Sequence, residues 1–289
     1  MKGESLYTVF SKALSSEKKA IKYFEKMRWD GKVVSPFDAT SKVYKCGNGK
    51  YKCKNTGRYF DVKTGTPFAN TKLPMKKWLL AIFLFQADNG SISSCQLARF
   101  LEITQKSAWY MLMKIREFTT KANANSSKLS GEVEIDETFV GGKNGNRHKD
   151  KKVEKCQGRR GGKLIAKVVP NTQARTLVPI VKKNVEVGST VYTDGWSYKG
   201  LEGKYEQLSV DHGKHFYGET YVTDDGEIIV VSTNGIENAW SLFKRRLKGT
   251  YIRVSKKHLQ KYVDEFVFRF NTRNFTDSQR FDLLLRNIA

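Results

Sequence analysis

The sequence predicts an α/β domain in its second half, preceded by a small β module and a helical region. In residues 42–77, short strand-like pieces alternate with Gly and Asn turns, which is typical of a small antiparallel module. After them the apolar residues recur at helical spacing as far as residue 118. Beyond a polar linker at residues 119–131, strand-like runs are followed by a long helical pattern from about Asn234, which favours an α/β domain.

The composition favours a nucleic acid as the partner. The chain has 289 residues, and its 52 Lys and Arg against 29 Asp and Glu leave a net charge of +23. That length is sufficient for two or three small domains. Such a charge excess repels itself in the compact state unless a polyanion shares the surface. The charge does not distinguish an enzyme from a binding protein, so catalysis needs separate evidence.

The sequence shows neither a membrane segment nor a disulfide framework. Its longest apolar run, Trp78–Phe85, is far shorter than the roughly 20 residues that span a bilayer, and no apolar signal core is found near the start. The cysteines, which form no CxxC pair, are Cys46, Cys53, Cys95 and Cys156. This usage suits a reducing compartment. We therefore expect a cytoplasmic protein that is associated with DNA.

Residues 93–118 predict two helices joined by a short break at Ile103 and Thr104. Ser93 and Thr104 are suitable N-caps for the two helices. The predicted core positions are Leu97, Leu101, Ile103, Trp109, Leu112 and Ile115. The basic residues expected to contact DNA are Lys106, Lys114 and Arg116. A plain pair of packed helices fits this stretch as well as a helix-turn-helix does.

The second half contains five strand-like runs before its long helix. They are EVEIDETFVG, KLIAKVV, TLVPIV, STVYTD and QLSVDH. A basic loop at residues 141–163 separates the first two runs and holds nine Lys or Arg against two acids. We expect this loop to be mobile until it meets a phosphate backbone, and a merely solvated loop is the alternative. The loop residues expected to contact DNA are Lys143, Arg147, Lys149, Arg159 and Arg160.

Three acids stand where carboxylates commonly form sites. Asp136 lies within a predicted strand, where Asp is depleted and a buried charge is tolerated chiefly when it is paired or binds a cation. Asp194 closes a second strand, and Glu237 opens the long helix. Each alone has an ordinary alternative, because Asp before Gly is a turn residue and a first-turn Glu suits the helix dipole. Together, on a basic chain, they indicate a site for two Mg²⁺ or Mn²⁺ ions acting on phosphodiesters.

The neighbours of these acids also have two interpretations. On the predicted helix, one face carries Glu237, Trp240, Ser241 and Lys244. That face can serve the site, or Trp240 can be core while the cations are solvated charges. The helix cations expected to contact DNA are Arg245, Arg246 and Lys248. Trp196 and Trp240 could stack on a base, but core packing is the favoured interpretation.

Several sequence blocks, in order, resemble those of bacterial insertion-sequence transposases of the DDE type, in the Merlin-related group. The blocks are GEVEIDETFVGGK, VYTDGWSYKGL, TNGIENAWSLFKRRLKGTY and SKKHLQKYVDEFVFRFNTRN. The resemblance runs from about residue 28 to residue 275. It implies an RNase H-like mixed sheet, and a triad on Asp136, Asp194 and Glu237 with an accompanying Lys244. Asn234 is a further position where this family can place a site residue.

The resemblance also implies a domain order and an activity. It divides the chain into an N-terminal helical lead with a ribbon-like module (1–67), a helix-turn-helix region (68–121) and a catalytic domain (122–289). The helix-turn-helix would bind the terminal inverted repeats of the mobile element. The catalytic domain would cleave DNA and join the freed 3′-hydroxyl to target DNA with two divalent ions. Joining two ends implies a homodimer or a larger assembly.

Residues 29–60 resemble the zinc ribbon of the same family, with one departure. The ribbon normally carries two CxxC knuckles, and here the knuckle positions hold Ser35, Asp38, Cys53 and Thr56. Tetrahedral zinc needs four ligands, usually Cys or His, so we expect no structural zinc. The strands are expected to be held by aromatic packing of Tyr44, Tyr51, Tyr59 and Phe60.

Two rival functions remain open at this point. A domesticated transposase could keep the fold and bind DNA without turnover, and the lost zinc ligands favour this weakly. An RNase H-like nuclease acting on RNA or branched DNA would explain the acids but not the helix-turn-helix. His148 and His212 receive no role, since scattered histidines in a basic protein are more often ordinary surface or core residues.

Overall fold

The computed structural model describes residues 14–87, 90–124, 127–140, 155–159, 162–193, 198–209, 219–222, 228–231 and 234–288. The chain divides into two compact units, Met1–Ala122 with Asn274–Ala289, and Asn123–Arg273. Residues 274–288 therefore pack with the first unit, whereas the division made from the sequence keeps them in the segment 122–289. In the described part of the chain, no helix is both long and apolar enough to cross a membrane.

The helices of the first unit are α1 (Glu17–Trp29), α2 (Met75–Ala87), α3 (Ser94–Leu101), α4 (Gln105–Ala124) and α8 (Asp277–Arg286). Helix α2 is buried almost all round, as its continuous apolar sequence predicts, and α1 and α8 pack against it. Glu17 accepts the backbone N–H groups of Met75 and Lys76 at 2.7 and 2.9 Å. A carboxylate from α1 thus satisfies two of the amides that a helix leaves open where it begins.

The α3–α4 pair confirms the predicted break between two helices. Ser93 caps α3 and forms a capping box with Gln96. The hydroxyl of Thr104 accepts the N–H of Ser107 at 3.2 Å, in the first turn of α4. The predicted core residues that are buried are Leu97, Leu101, Leu112 and Ile115, and Ile103 is half-buried. The expectation for Trp109 is wrong, because Ala108, Met111 and Leu112 occupy the buried face and leave Trp109 37% exposed.

The predicted β module is a three-stranded antiparallel meander of β1 (Val43–Lys45), β2 (Tyr51–Cys53) and β3 (Tyr59–Phe60). Its aromatic packing is one-sided. The buried rings of Tyr51 and Phe60 stack with their centroids 5.7 Å apart, and Trp29 packs edge-on against Tyr51. Tyr44 and Tyr59, which were also expected to hold the strands, lie outside this buried packing. They align across the sheet with Lys52 on the outer face, where they are 44% and 59% exposed.

The second unit is built on a five-stranded sheet. Its strands are β4 (Glu132–Glu137), β5 (Lys155–Arg159), β6 (Leu164–Lys167), β7 (Thr190–Thr193) and β8 (Glu206–Ser209). Their order across the sheet is β6-β5-β4-β7-β8. Strand β5 runs antiparallel to both of its neighbours, whereas β4, β7 and β8 are mutually parallel. A separate antiparallel pair is formed by β9 (Glu219–Val222) and β10 (Ile228–Val231).

Two expectations about this unit are wrong. The run TLVPIV, expected as a strand, lies within helix α5 (Ala174–Asn184). Leu177, Val178 and Val181 are buried from that helix at spacings of one and four residues, and a short apolar run does not by itself distinguish strand from buried helix. The basic stretch 141–163, expected as a loop, contributes the inner strand β5. Its KCQGR sequence lacks the apolar alternation that marks a strand.

Helices cover both faces of this sheet. On one face, α5 packs with Val133, Ile135 and Val191 in one apolar cluster. On the other face, α6 (Asn234–Arg246) and α7 (Leu259–Asn271) form a second cluster with Leu164 and Ala166 of β6. A π-helical turn (Leu247–Tyr251) and a short 3₁₀ turn (Lys256–His258) join α6 to α7.

The outer strand β6 receives hydrogen bonds from side chains of α7 instead of another strand. Asn271 exchanges two hydrogen bonds with the backbone of Leu164, at 2.7 and 2.9 Å. Gln260 accepts the N–H of Val168 at 2.7 Å. Strand edges left open tend to pair with other chains, so these amides close the edge within this unit.

Candidate active site

Strand β4 presents acids on one face and apolar residues on the other. Val133 and Ile135 are fully buried in the cluster with α5. Glu134 and Asp136, being offset by one residue, lie on the opposite face, which α6 covers. Glu134 is 2% exposed, and Asp136 near the end of the strand is half-buried. Asp136, expected within a strand, therefore lies on the α6 side of the sheet.

Glu134 receives the beginning of helix α6. Its carboxylate accepts the backbone N–H of Ile236 at 2.7 Å. A Cβ atom built on Gly235 would stand 2.7 Å from one Glu134 oxygen and 3.0 Å from the other. A carboxylate is favoured there because the unbonded N–H groups and the dipole make a helix N-terminus positive. The start of α6 is thereby held against β4, two residues before Asp136.

Glu237 lies in the first turn of α6, immediately after Ile236. It is exposed, as are Ser241 and Lys244 further along the same helix. The residues of α6 that enter the core are Ile236, Ala239, Trp240 and Phe243. The preference for core packing of Trp240 is confirmed, since it is 5% exposed. Asn234 is the first residue of α6 and is exposed.

The parallel pair β4–β7 ends next to Asp136. Thr193, the last residue of β7, is paired with Ile135. Asp136 is the next residue on β4, and position 194 is the next residue in the chain after Thr193. Asp194 itself lies outside the described residues, as does Trp196. Strand β7 therefore ends one residue before Asp194 and lies next to the strand that carries Asp136. Neighbouring strands are about 4.8 Å apart.

Glu137 has a structural partner on the other face of the sheet. The hydroxyl of Tyr198 donates a hydrogen bond to its Oε1 at 2.6 Å. Because adjacent residues of a strand point to opposite faces, the side chains of Glu137 and Asp136 lie on different faces of the sheet.

Of the three cations expected on the α3–α4 pair to meet DNA, two reach the surface. Lys106 is exposed in the first turn of α4. Lys114 is half-buried and forms an ion pair with Glu117 at 2.9 Å, and this hydrogen bond raises the pKa of Lys114. Arg116 is 1% exposed. The expectation for Arg116 is corrected, because its position on α4 belongs to the buried face and not to a phosphate-accessible surface.

The other cations expected to contact DNA also differ in exposure. Arg245 and Lys248 are exposed, whereas the guanidinium of Arg246 lies 5.3 Å from the centre of the Phe266 ring and covers the apolar cluster of α6 and α7. Arg159 ends strand β5. The other residues expected to contact DNA lie outside the described residues, as do both unassigned histidines: Lys143, Arg147, Lys149, Arg160, His148 and His212.

The knuckle positions of the ribbon-like module are joined by hydrogen bonds. The hydroxyl of Ser35 accepts the N–H groups of Phe37 and Asp38 at 3.2 and 3.4 Å, and the Asp38 carboxylate accepts the amide of Asn55 at 2.7 Å. Cys53 is completely buried, and hydrogen bonds from Ser35, Ser41 and Thr56 lower its pKa to about 6. Across the described residues, which exclude Asp194, no three His, Cys, Asp or Glu side chains are grouped closely enough to hold a metal.

Comparison with known proteins identifies the family. Residues 128–271 match the ISXO2-like transposase domain. A transposase-like protein of Haemophilus influenzae is 34% identical over 112 residues, which are 38% of this chain and 81% of that protein. The chain belongs to this family of insertion-sequence transposases. It is also 27% identical over 284 residues to a protein in the transposable element ISH50 of Halobacterium salinarum, covering 89% of this chain and 92% of that protein. No solved structure matches the transposase.

The matched domain covers nearly all of the second unit of this transposase. It includes strand β4 with Asp136, position 194, and helix α6 with Glu237 and Lys244. Membership of the family implies DNA as the partner, and transposases of this kind generally use divalent metal ions. Sequence reasoning did not find Glu134 and Gly235. A glutamate between two buried β-branched residues, in register with Asp136, and a glycine in the first turn of α6 were the available signals.

Proposed function

We propose that this transposase cleaves DNA at the ends of its mobile element and transfers the freed ends to target DNA, with a catalytic site formed by Asp136, Asp194 and Glu237. The observation that carries the proposal is the arrangement of β4, β7 and α6. Asp136 lies one residue beyond the last β4–β7 pair, on the face where Ile236 of α6 is bonded to Glu134. Three distant segments of the chain therefore converge at one edge of the sheet.

The sheet supports an RNase H-like fold for this domain. Counted within the second unit, its five strands have the spatial order third, second, first, fourth, fifth. The first three are antiparallel and successive, and the last two are added in parallel on the opposite side. The carboxyl ends of parallel strands are a common location for sites in α/β sheets.

The donors present suit Mg²⁺ or Mn²⁺. Both ions prefer hard carboxylate oxygens. Asp136, next to the end of β7, and Glu237, in the first turn of α6, carry such groups. Two divalent ions bound there would neutralise charge that develops on the phosphodiester. Asp136, Asp194 and Glu237 hold the ions, and Lys244, exposed two turns beyond Glu237 on α6, contacts the phosphate backbone. Arg245 and Lys248, also exposed, extend this basic surface.

The α3–α4 pair serves as the helix-turn-helix that recognises the terminal inverted repeats. Lys106 is exposed where α4 begins, which is the end of a recognition helix that usually meets base edges. Trp109 and Tyr110, 37% and 47% exposed on the next turn, lie beside it. The proposal retains the division into a lead with ribbon-like module, a helix-turn-helix and a catalytic domain, with α8 packing back onto the first unit. Since two element ends must be joined, the active form is a homodimer or a larger assembly.

The decisive experiment uses a labelled duplex with one element end and its flanking DNA. We expect the wild-type transposase to cut it in Mg²⁺ or Mn²⁺, and Asp136→Ala to abolish cutting while binding the end with unchanged affinity. Glu186→Gln removes an exposed acid elsewhere in the second unit and is expected to cut normally. Binding without cutting by the wild type would support a domesticated DNA-binding protein. Cutting without preference for the element end would support a nuclease of another class.

A further inference from the structure

We infer that Glu134 is a positioning residue. By accepting a hydrogen bond from the N-terminus of α6, it fixes the position of Glu237 relative to Asp136. The inference rests on the proposed function, because it assigns the contact a purpose in that reaction. It adds a fourth acid that does not touch DNA or metal and acts through the helix that carries Glu237. Gly235 is its required counterpart.

Glu134 is connected to both Asp136 and Glu237 through short stretches of the chain. It lies two residues from Asp136 on the same face of β4. The N–H that it accepts, at 2.7 Å, belongs to Ile236, whose next residue is Glu237. One carboxylate therefore connects the strand that carries the first acid to the helix turn that carries the last. With 2% of its surface exposed, Glu134 is shielded from substrate and solvent.

The contact leaves no room for a side chain on the helix. A Cβ atom at position 235 would meet Glu134 oxygens at 2.7 and 3.0 Å and the carboxyl carbon at 3.2 Å. The φ angle of Gly235 is not in the left-handed region, so the glycine is needed for close approach and not for backbone conformation. Glycine is also unfavourable inside a helix. Its presence here is explained by a helix that must approach the carboxylate closely.

The energetics favour this carboxylate as the fixed point of the helix. At 2.7 Å, the hydrogen bond from the Ile236 N–H to the Glu134 side chain is at the short end of the usual N–H···O range. The helix dipole adds to it at the N-terminus. The apolar contacts of Ile236, Trp240 and Phe243 with α7 hold the body of α6, and they are non-directional. The directional bond to Glu134 fixes where the first turn sits, and misplacement by about 1 Å can lower a rate by roughly 10²-fold.

The first test adds a methyl group at position 235 and then shortens the side chain at position 134 to make room for it. Gly235→Ala places a methyl group against the carboxylate, and we expect kcat for end cleavage to fall about 10²-fold while KM for DNA stays within a factor of about two. Gly249→Ala is the matched control, since a Cβ there meets nothing within 4 Å. Combining Gly235→Ala with Glu134→Asp, whose shorter side chain makes room for the new methyl group, is expected to restore at least about tenfold of the loss.

A second readout does not depend on activity. Hydrogen exchange of the amides at residues 234–243 should accelerate in Glu134→Ala, where the acceptor of the Ile236 N–H is removed. It should remain near wild type in Glu134→Gln, which keeps an acceptor oxygen of the same reach. Binding of Mn²⁺ alone, followed by electron paramagnetic resonance, should weaken in Gly235→Ala and remain unchanged in Gly249→Ala. Thermal unfolding identifies any variant that fails to fold.

The outcomes separate the two proposals. If wild-type protein does not cut DNA, the proposed function fails, and hydrogen exchange still decides whether Glu134 holds α6. The positioning role is overturned if Gly235→Ala behaves like Gly249→Ala in cleavage and Mn²⁺ binding. It is equally overturned if Glu134→Ala leaves exchange at the start of α6 unchanged, or if Glu134→Asp gives no rescue. Rescue of kcat by the double variant, with faster exchange in Glu134→Ala, supports it.

Discussion

The family resemblance predicts metal ligands in two regions, the ribbon-like module and the carboxyl end of strands β4 and β7. The polar groups of these two regions are held differently. In the ribbon, the substituted ligand positions bond to one another and to neighbours within about 20 residues, as Ser35 does with Asp38 and Asp38 with Asn55. At the carboxyl end of β4, Asp136 and Glu237 belong to segments 101 positions apart, and the hydrogen bond of Ile236 to Glu134 connects these segments.

The difference indicates how a ribbon-like module is held together when its knuckle positions carry hydroxyl and carboxylate groups. A ribbon site is built from two local knuckles, so hydroxyl and carboxylate groups at the same positions can satisfy each other over short loops. Apolar packing on one face, by Tyr51, Phe60 and Trp29, supplies what remains. The proposed catalytic site has no such substitute, because its acids would have to stay available to ions and DNA and could not satisfy one another.

Restoring the ribbon ligands is the strongest way to sharpen this comparison. We expect the triple variant Ser35→Cys, Asp38→Cys, Thr56→Cys to bind one zinc ion per chain with a Kd of about 1 nM or tighter, as structural sites with four cysteines do. The fourth ligand is Cys53, which already contacts Ser35 and Thr56. Competition with a chelating indicator dye measures the affinity.

The control for this variant adds Cys53→Ser to the same three changes, and zinc affinity should then fall by at least about 10²-fold. The wild-type thermal transition should not move with zinc or with a chelator. If the triple variant binds no zinc, the four positions do not converge, and the interpretation of the cluster as a substituted metal site is wrong.

Removing the carboxylate of Glu237 should greatly lower the rate of DNA cleavage without lowering the stability of the protein. Glu237 is exposed, so Glu237→Gln should leave thermal unfolding within about 1 °C of wild type. End cleavage should fall by about 10³-fold, since each tenfold loss corresponds to about 1.4 kcal/mol and a metal site contributes several kcal/mol. Single-turnover cleavage in Mg²⁺ measures the effect. A variant that cuts within tenfold of wild type would remove Glu237 from the site.

The sequence was sufficient for features that depend on local signals. The two helices of the α3–α4 pair, the Ser93 cap and the strand that carries Asp136 follow from periodicity and capping chemistry. Strand β5 could not be found this way, because its KCQGR sequence becomes a strand by pairing with β4 and β6 on both sides. Tertiary pairing overrides local preference in such a central strand.

Side-chain direction was the other limit. Arg116 and Lys106 are equally basic in the sequence, and their positions relative to the buried face of α4 decide that one is 1% exposed and the other is at the surface. Glu134 illustrates the same point within the site. Its contact with Ile236 spans 102 positions, and nothing in the local sequence states which helix a strand carboxylate will meet.

The aromatic face of the ribbon provides a test of smaller size. Tyr51 is 6% exposed and Tyr59 is 59% exposed on the same small sheet. Tyr51→Ala should lower the free energy of unfolding by about 3 kcal/mol, by loss of buried area and the cavity it leaves, and Tyr59→Ala by no more than about 0.5 kcal/mol. Urea unfolding followed by tryptophan fluorescence measures both, since Trp29 packs against Tyr51. Equal effects would show that the strands are held from both faces.

The last prediction concerns the pH dependence of stability that the Cys53 thiol produces. Hydrogen bonds from Ser35, Ser41 and Thr56 favour its thiolate and lower its pKa from 9.0 to about 6 in the folded protein. Between these values the folded state binds fewer protons than the unfolded state, so stability rises with pH over that range. The contribution is fully present above about pH 9 and is lost as pH falls through about 6.

Cys53→Ser removes this titration, and its stability relative to wild type should therefore change least at pH 5 and most near pH 8.5. Cys95→Ser, in an exposed position on α3, provides the control and should follow the wild-type curve throughout. Thermal unfolding at half-unit steps of pH measures the difference between the curves. A constant offset from pH 5 to 8.5 would mean that the hydroxyl groups bond to a neutral thiol. The ribbon cluster would then be held by uncharged hydrogen bonds alone, with the carboxylate of Asp38 as its one ionised member.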